Sequence, residues 1–278
     1  MSRAREVRGP RIRVRARARL VVAGMLGLLI GACAPHRLAL PALETGVLRA
    51  RYERALAARE TRGAAVEAEV SVWAELESAR DLPGAEGRLL LAGPDAFRLR
   101  VGSLFGAALD VSGRGDSLVA WVPVRRMGVR LDARRDTLGV RAPGLQVFRA
   151  LGAVWHPPAD AWERATWRDS LRELRWVDAG DSVRVAVGSS GLPQLAAVSR
   201  PGEGELRAAY RGWDQSGAPW PSWVEIADAE GRFRLTLKCE RLRFPDRLSR
   251  ERLTTPLPEG TRALTLAELR HLIERLGS

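Results

Sequence analysis

The chain has 278 residues, a formal net charge of +12 and only two cysteines. Eight of its arginines lie in the first 19 residues against a single Glu6, which leaves a net charge of about +5 for residues 33–278. Only one of the 45 basic residues is lysine, and the aromatic residues are not interleaved with a basic stripe, so composition argues against a nucleic-acid-binding protein.

The N-terminal segment has the pattern of a signal peptide. The arginine-rich stretch is followed by 13 uncharged residues, 20–32, which are too few to span a bilayer because a spanning helix needs about 20. This run ends in the sequence LIGAC, residues 29–33, which resembles the lipobox of exported bacterial lipoproteins. The resemblance implies that residues 1–32 are removed and that Cys33 becomes the acylated first residue of a tether over 33–44.

Two other interpretations of this segment stay open. It is either an uncleaved inner-membrane anchor or a signal peptide cut elsewhere, which would leave Cys33 an ordinary thiol. Ala34 follows the cysteine in place of the aspartate that retains lipoproteins at the inner membrane of enteric bacteria, so the resemblance favours the outer membrane. If Cys33 is acylated, Cys239 has no partner within the chain, and no disulfide is expected.

Residues 45–278 are predicted to form one domain of the α+β class, mainly β. A helix is predicted over 38–62, because apolar side chains recur there at spacings of about four. The period then changes to two, and from Val66 to Glu77 apolar residues alternate with polar ones. This alternation predicts a long strand with one buried face.

Two groups of shorter segments show the same alternation and predict two antiparallel meanders. Turn-forming clusters such as 92–95, 112–116 and 188–191 separate the segments. The predicted strands are 86–92, 96–102, 107–112, 117–124 and 127–132 in the first group, and 172–178, 182–188, 193–200, 204–213, 221–228 and 231–243 in the second.

Helices are predicted between the meanders and at the C-terminus. Leu145, Phe148, Leu151 and Trp155 share one face of a short helix that is ended by two prolines, and a second short helix is predicted over 159–170. Residues 245–262 are expected to form a loop that crosses the sheet edge. The final segment begins with TLAE, residues 265–268, which has the spacing of a capping box and predicts an amphipathic helix.

The sequence carries no pattern typical of catalysis or metal binding. His36, His156 and His271 are far apart, and no pair has metal-ligand spacing. Neither a nucleophile elbow nor a phosphate loop is present. We therefore expect a protein that is not an enzyme and that has no catalytic residue, metal or cofactor.

The order of these parts resembles the LolA/LolB-like superfamily of periplasmic lipoprotein carriers and receptors. Residues 86–106 are similar to the stretch of LolB-like proteins that runs from a glycine-led strand to a phenylalanine-glycine hairpin, and residues 220–243 resemble the last hairpin of the family. The resemblance implies an unclosed, half-barrel antiparallel sheet of about 10–12 strands, with helices that cover its concave face as a lid.

The resemblance also implies a function in which no side chain reacts. A protein of this kind binds lipid, or the acyl chains of lipoproteins, on its concave face. The expected partners are the membrane through acyl chains on Cys33, a lipid or acylated lipoprotein ligand, and a periplasmic carrier protein. The protein is expected to be a monomer at the outer membrane, facing the periplasm.

The candidate lining of the cavity comprises apolar residues of four predicted strands and of the predicted lid helix. They are Phe97, Leu99, Val101, Leu118, Val122, Val224, Ile226, Phe233, Leu235 and Leu237 from the strands, and Leu145, Phe148, Leu151 and Trp155 from the lid. The same side chains would form a filled core if the protein is instead an envelope lipoprotein that transports nothing and uses its half-barrel as a protein-binding or sensor module. A cavity under a detachable lid distinguishes the two functions.

Overall fold

A computed structural model describes residues 44–62, 64–76, 79–103, 106–132, 143–201, 204–214, 219–265 and Glu268. These residues form one large sheet, a short 3-10 helix at Pro123–Arg125 and three α-helices, which are α1 Thr45–Arg62, α2 Pro143–Gly152 and α3 Ala159–Glu163. None of the described helices is long and apolar enough to cross a membrane. The predicted α+β class, mainly β, is confirmed.

Helix α1 packs one face against the sheet. Leu48, Tyr52, Leu56 and Arg59 are buried along it, at spacings of three and four that place them on one side of a helix. Val47, another apolar residue of the predicted helix, is exposed. The predicted helix is confirmed from Thr45 onward, and positions 38–43 lie outside the described residues.

The described residues contribute 14 strands to a single sheet, more than the 10–12 predicted. Each meander pairs strands that are neighbours in the chain, and the two meanders are joined where β1 pairs with β13. The order across the sheet is β14-β6-β5-β4-β3-β2-β1-β13-β12-β11-β10-β9-β8-β7. The strands are β1 Ala65–Leu76, β2 Ala79–Ala92, β3 Ala96–Ser103, β4 Gly106–Arg114, β5 Ser117–Val122, β6 Met127–Asp132, β7 Thr166–Arg168, β8 Leu171–Asp178, β9 Asp181–Val187, β10 Pro193–Arg200, β11 Gly204–Asp214, β12 Trp220–Asp228, β13 Phe233–Arg243 and β14 Arg262–Ala263.

The sheet curves around α2. This helix contacts β4 and β12, which are separated by four strands in the sheet order. Adjacent strands lie about 4.8 Å apart, so these two strands would be about 24 Å apart in a flat sheet. A helix of ten residues is only about 15 Å long and about 10–12 Å across, so it could not contact both strands unless the sheet curved. The sheet is an unclosed half-barrel, as predicted. We call the side that carries the helices the inner face and the opposite side the outer face.

Several strand boundaries differ from those predicted, and three of the differences have a clear local cause. Strand β2 begins at Ala79 rather than at residue 86, because bulges in its pairing with β1 accommodate Pro83 and Gly84 within a strand. Residues 112–114, predicted as part of a turn, continue β4, where Gly113 leaves room for the ring of Phe97. Strand β5 stops at Val122, because Pro123 has no N–H to donate to the ladder.

The second short helix is shorter than predicted. Helix α3 ends at Glu163, and Thr166–Arg168 forms the edge strand β7 instead. Asp169 adopts a positive φ of 55°, which suits the tight turn that folds β7 back onto β8. The prediction of a helix over 159–170 is therefore wrong after residue 163.

Trp155 does not lie on the helix to which the sequence assigned it. Helix α2 ends at Gly152, and Ala153 has a left-handed φ of 52°, which stops helical propagation before the two prolines are reached. Trp155 follows in an extended segment and is buried there.

The loop after β13 crosses the outer face of the first meander as well as reaching its edge. Leu253 packs on Leu90 and Ala96, and the hydroxyl of Thr255 donates to Asp110 Oδ1 at 2.8 Å. Asp110 also accepts two hydrogen bonds from Arg98, at 2.9 and 2.7 Å. These contacts carry the chain across the sheet to β14, which pairs with β6 in parallel.

The predicted capping box near the C-terminus is formed. The backbone N–H of Thr265 donates to Glu268 Oε2 at 2.8 Å, and the backbone N–H of Glu268 donates to Thr265 Oγ1 at 3.2 Å. The rest of the predicted C-terminal helix, residues 269–278, lies outside the described residues. The predicted signal peptide, Cys33 and the tether up to residue 43 lie outside them as well.

Candidate functional site

The inner face is apolar across both meanders. The ten strand residues predicted to line a cavity all lie on it, at alternating positions of β3, β5, β12 and β13. Four are buried in the main core, namely Phe97, Val224, Ile226 and Leu237, and five are half-buried against it, namely Leu99, Val101, Leu118, Phe233 and Leu235. Val122, at the end of β5, is half-buried outside this cluster. Their contact with a ligand stays a prediction.

Helix α2 covers this apolar surface. Phe148 and Leu151 are buried in the main core together with Trp155, which follows the helix. Besides β4 and β12, α2 contacts β3 and β5. Phe148, Leu151 and Trp155 therefore pack into the same core as the predicted lining, whereas Leu145 lies at a gap between α2 and the second meander. Of the four predicted lid residues, only Trp155 is not helical.

A cavity of about 130 Å³ lies between α2 and the second meander. Leu145, Trp155, Val183 and Val198 form much of its wall. Its volume is close to that of an engineered apolar cavity that binds one benzene molecule. Arg149 and Asp178 also line this gap, where Arg149 Nη1 donates to Asp178 Oδ2 at 2.7 Å and ties α2 to β8.

A chain of buried hydrogen bonds links α1, the segment after α2, and β11. Tyr52 Oη donates to the carbonyl oxygen of Trp155 at 2.7 Å, and Trp155 Nε1 donates to Tyr210 Oη at 3.0 Å. Burial raises the pKa of both tyrosine hydroxyls far above the ordinary value, so both stay protonated at neutral pH. These bonds hold the segment after α2 against the sheet.

Arg59 is a buried cation next to this chain. Its side chain is in the last turn of α1 and 1% exposed. The guanidinium carbon lies 5.3 Å from the ring centroid of Trp213, and Nη2 donates to the carbonyl oxygen of Ala153 over a long 3.4 Å. Nε and Nη1 of Arg59 have no hydrogen-bond partner. Burial lowers the pKa of Arg59, but an arginine side chain stays charged at neutral pH.

A larger groove, of about 800 Å³, lies on the outer face of β8–β11. Its polar lining includes Arg175, which pairs with Glu173, and Arg184, which pairs with Glu205. A charged lining of this kind does not suit an acyl chain, because ionic groups lose hydration when apolar material covers them. Arg149, Asp178 and Asp181 also line the smaller inner cavity, but a larger share of its lining is apolar, so it is the better candidate for an apolar ligand.

The side chains with reactive chemistry are dispersed in the part of the chain that the structure describes. No three His, Cys, Asp or Glu residues in those ranges come together as metal ligands would. His156 Nε2 lies 3.1 Å from Glu60 Oε1 at the surface. Burial raises the pKa of the Cys239 thiol to about 11, so it is protonated at neutral pH and packs on the inner face as a small apolar group.

Comparison with solved structures places this architecture among known folds. A LolA superfamily protein of Nitrosomonas europaea, NE2245, superposes with a TM-score of 0.51 over 75% of this chain and 97% of its own, at 17% sequence identity. The chain has the LolA/LolB-like fold. A Vibrio parahaemolyticus domain named for outer membrane lipoprotein sorting covers 72% of this chain and 96% of its own, with a TM-score of 0.45 and 11% identity.

The LolA/LolB-like fold is recognised here from structure and not from sequence similarity. No protein-family model matches the chain, and no curated protein matches it in sequence. The resemblance read from the order of the elements is thus confirmed for the fold. Its two local stretches form the hairpins β2–β3 and β12–β13.

Sequence reasoning missed the polar centre of this LolA/LolB-like interior. Tyr210, Trp213 and Arg59 were not among the predicted lining residues. A signal for Arg59 was present, because it lies three residues after Leu56 and seven after Tyr52, on the apolar face of a predicted helix. Because the chain has 45 basic residues, an arginine at this position is not a distinctive signal.

Proposed function

We propose that the protein is a lipoprotein of the outer membrane that faces the periplasm and binds lipid, or the acyl chains of other lipoproteins, on the inner face of its half-barrel. One observation carries the proposal: the ten-residue helix α2, with a cavity of about 130 Å³ beside it, covers part of the apolar inner face. The LIGAC sequence at 29–33 supports acylation of Cys33. Transfer of the bound lipid to or from a periplasmic carrier follows from this role.

Displacement of α2 by an acyl chain is energetically feasible. Burial of about 15 methylene groups is worth about 12 kcal/mol. Exposure of Leu145, Phe148, Leu151 and Trp155 would cost about 6–12 kcal/mol at about 1.5–3 kcal/mol each. The two magnitudes are comparable, so an acyl chain can compete with the lid without any catalytic group.

Native mass spectrometry of residues 34–278, exported to a bacterial periplasm and followed by lipid extraction, tests this function. We expect phospholipid or an acylated peptide to co-purify with the protein. Leu235→Asp and Phe148→Asp should abolish the co-purification of lipid, because each puts a charge on the apolar surface that the ligand needs.

Leu195→Asp is the matched control for these variants. Leu195 is 46% exposed and lies on the outer face of β10, so the same change there should leave lipid binding intact. A protein that stays free of lipid even after incubation with vesicles would contradict the proposal, as would equal losses in all three variants.

The ion pair between Arg149 and Asp178 should restrain the lid. We expect Arg149→Ala to speed the uptake of a fluorescent fatty acid by about 1.4- to 5-fold, because a partly exposed ion pair contributes about 0.2–1 kcal/mol. Stopped-flow fluorescence measures the rate. The difference in uptake rate between the variant and the parent protein should shrink at high salt, since salt screens the ion pair in the parent protein.

Arg164→Ala is the control for the lid variant. Arg164 pairs with Asp160 beside the short helix α3, and this pair does not connect α2 to the sheet. Equal acceleration in the two variants would show that the Arg149 pair does not hold the lid.

The outer-face groove favours a second candidate function, which is the binding of a protein partner by an envelope lipoprotein that transports nothing. Its alternating arginine and glutamate side chains are suited to polar recognition of a peptide or loop. This function needs no displacement of α2. A clean apo mass in the experiment above would turn the search toward such a partner.

A further inference from the structure

The buried donors near Arg59 outnumber the acceptors that serve them. Arg59 Nε, Arg59 Nη1 and Trp213 Nε1 are all buried without a hydrogen-bond partner. Within the described residues, Arg59 takes part in no ion pair with a carboxylate, and its nearby Glu60 is at the surface beside His156. A buried guanidinium with unused donors is costly, and an excess of donors of this kind suits an anion.

The lid provides the only acceptor that Arg59 has among the described residues. That acceptor is the carbonyl oxygen of Ala153, the residue that follows α2 directly. Tyr52, which lies seven residues before Arg59 on α1, likewise donates to the carbonyl oxygen of Trp155. Movement of α2 and this segment away from the sheet would therefore remove the hydrogen bonds of Arg59 and Tyr52 at the same time.

The cavity beside α2 lies next to this donor cluster. Trp155 forms part of the cavity wall, and its Nε1 donates to Tyr210. The ring of Tyr210 lies 6.0 Å from that of Trp213, over which Arg59 is placed. A ligand that enters beneath α2 thus has apolar surface for a chain and, beyond Trp155, a set of donors for its head.

We propose that Arg59, with Trp213, binds the anionic head group of an acyl ligand, a carboxylate or a phosphate, when the segment after α2 is displaced. The head group takes the place of the Ala153 carbonyl and accepts from the N–H groups that are unpartnered in the closed form. A neutral acyl ligand leaves the guanidinium buried and unpaired, and so binds more weakly. This inference rests on the proposed binding of acyl chains and specifies their chemical class.

The test uses the full chain, purified in detergent and transferred to amphipol, with three radiolabelled ligands that share one acyl chain. They are palmitate, palmitoyl lysophosphatidate and monopalmitoylglycerol, which carry a carboxylate, a phosphate and a neutral head. We expect equilibrium dialysis to give tighter binding of at least one anionic ligand. The anionic ligand that binds more tightly shows whether a carboxylate or a phosphate is preferred.

Arg59→Met should weaken binding of the preferred anionic ligand by about 10- to 100-fold and leave binding of monopalmitoylglycerol within about two-fold. The melting temperature should hold or rise, because an apolar side chain of similar length removes an uncompensated buried charge. Arg59→Lys keeps the charge and should retain most of the preference for an anion.

The outcomes separate this inference from the function on which it rests. If the parent protein binds none of the three ligands, both fail. If it binds all three equally, or if Arg59→Met weakens all three alike, acyl binding stands and the head-group site is overturned.

Discussion

Gly191→Ala should lower the free energy of unfolding by about 2–6 kcal/mol and loosen α1 from the sheet. Gly191 lies in the turn between β9 and β10 with φ at 82°, and a Cβ there would lie 2.6 Å from Arg51 Cβ and 2.9 Å from the backbone nitrogen of Tyr52. Strain at a positive φ costs about 1–3 kcal/mol, and overpacking against a helix backbone costs about 1–3 kcal/mol more. Urea unfolding measures the loss, and binding of a hydrophobic dye reports the exposed interior.

Gly180→Ala separates the two causes. Gly180 also has a positive φ, at 93°, but a Cβ there meets nothing within 4 Å, so this variant should show the backbone strain alone. The difference between the variants measures the contact with α1. Equal losses of unfolding free energy in the two variants would mean that Gly191 does not contribute to the packing of α1.

Leu237→Ala should destabilise the protein by about 2–5 kcal/mol. Leu237 is fully buried on β13, opposite Val72 of β1 and Val224 of β12, where the two meanders join. Its truncation leaves a cavity that neighbours on both strands cannot fill, which adds to the lost burial of the removed methyl groups. The midpoint of urea unfolding gives the change.

Leu195→Ala is the corresponding change at a site that is 46% exposed. It should alter the free energy of unfolding by less than about 1 kcal/mol, because little surface is lost from the core there. A similar cost at both positions would contradict the role of Leu237 in joining the meanders.

The sequence predicted best those features that local periodicity encodes. The alternation in β1 and β13 gave both the strands and their buried faces, since period two follows directly from the geometry of an extended chain. The order of the elements was enough to recognise the fold. The ten strand residues placed on the inner face are all there, although their contact with a ligand is untested.

Features that depend on distant contacts could not be predicted. The edge strand at Thr166–Arg168 has only three residues, too few for a periodic signal, and it forms because β8 offers a partner. Trp155 lies outside the helix because Ala153 has a left-handed φ that ends it. Nothing in the local sequence predicts this conformation of Ala153. The donors around Arg59 come together from α1 and β11, which lie about 150 positions apart in the chain.

The joining of the meanders through β1 and β13 also determines when an interior can exist during folding. Within each meander, hairpins pair neighbouring segments, and short loops close at little entropic cost. The ladder between β1 and β13, by contrast, sets Glu67 opposite Arg243 and requires almost the whole domain to have emerged. A chain that stops before residue 233 can still form hairpins, but it lacks β13, so the two meanders cannot yet join into one sheet.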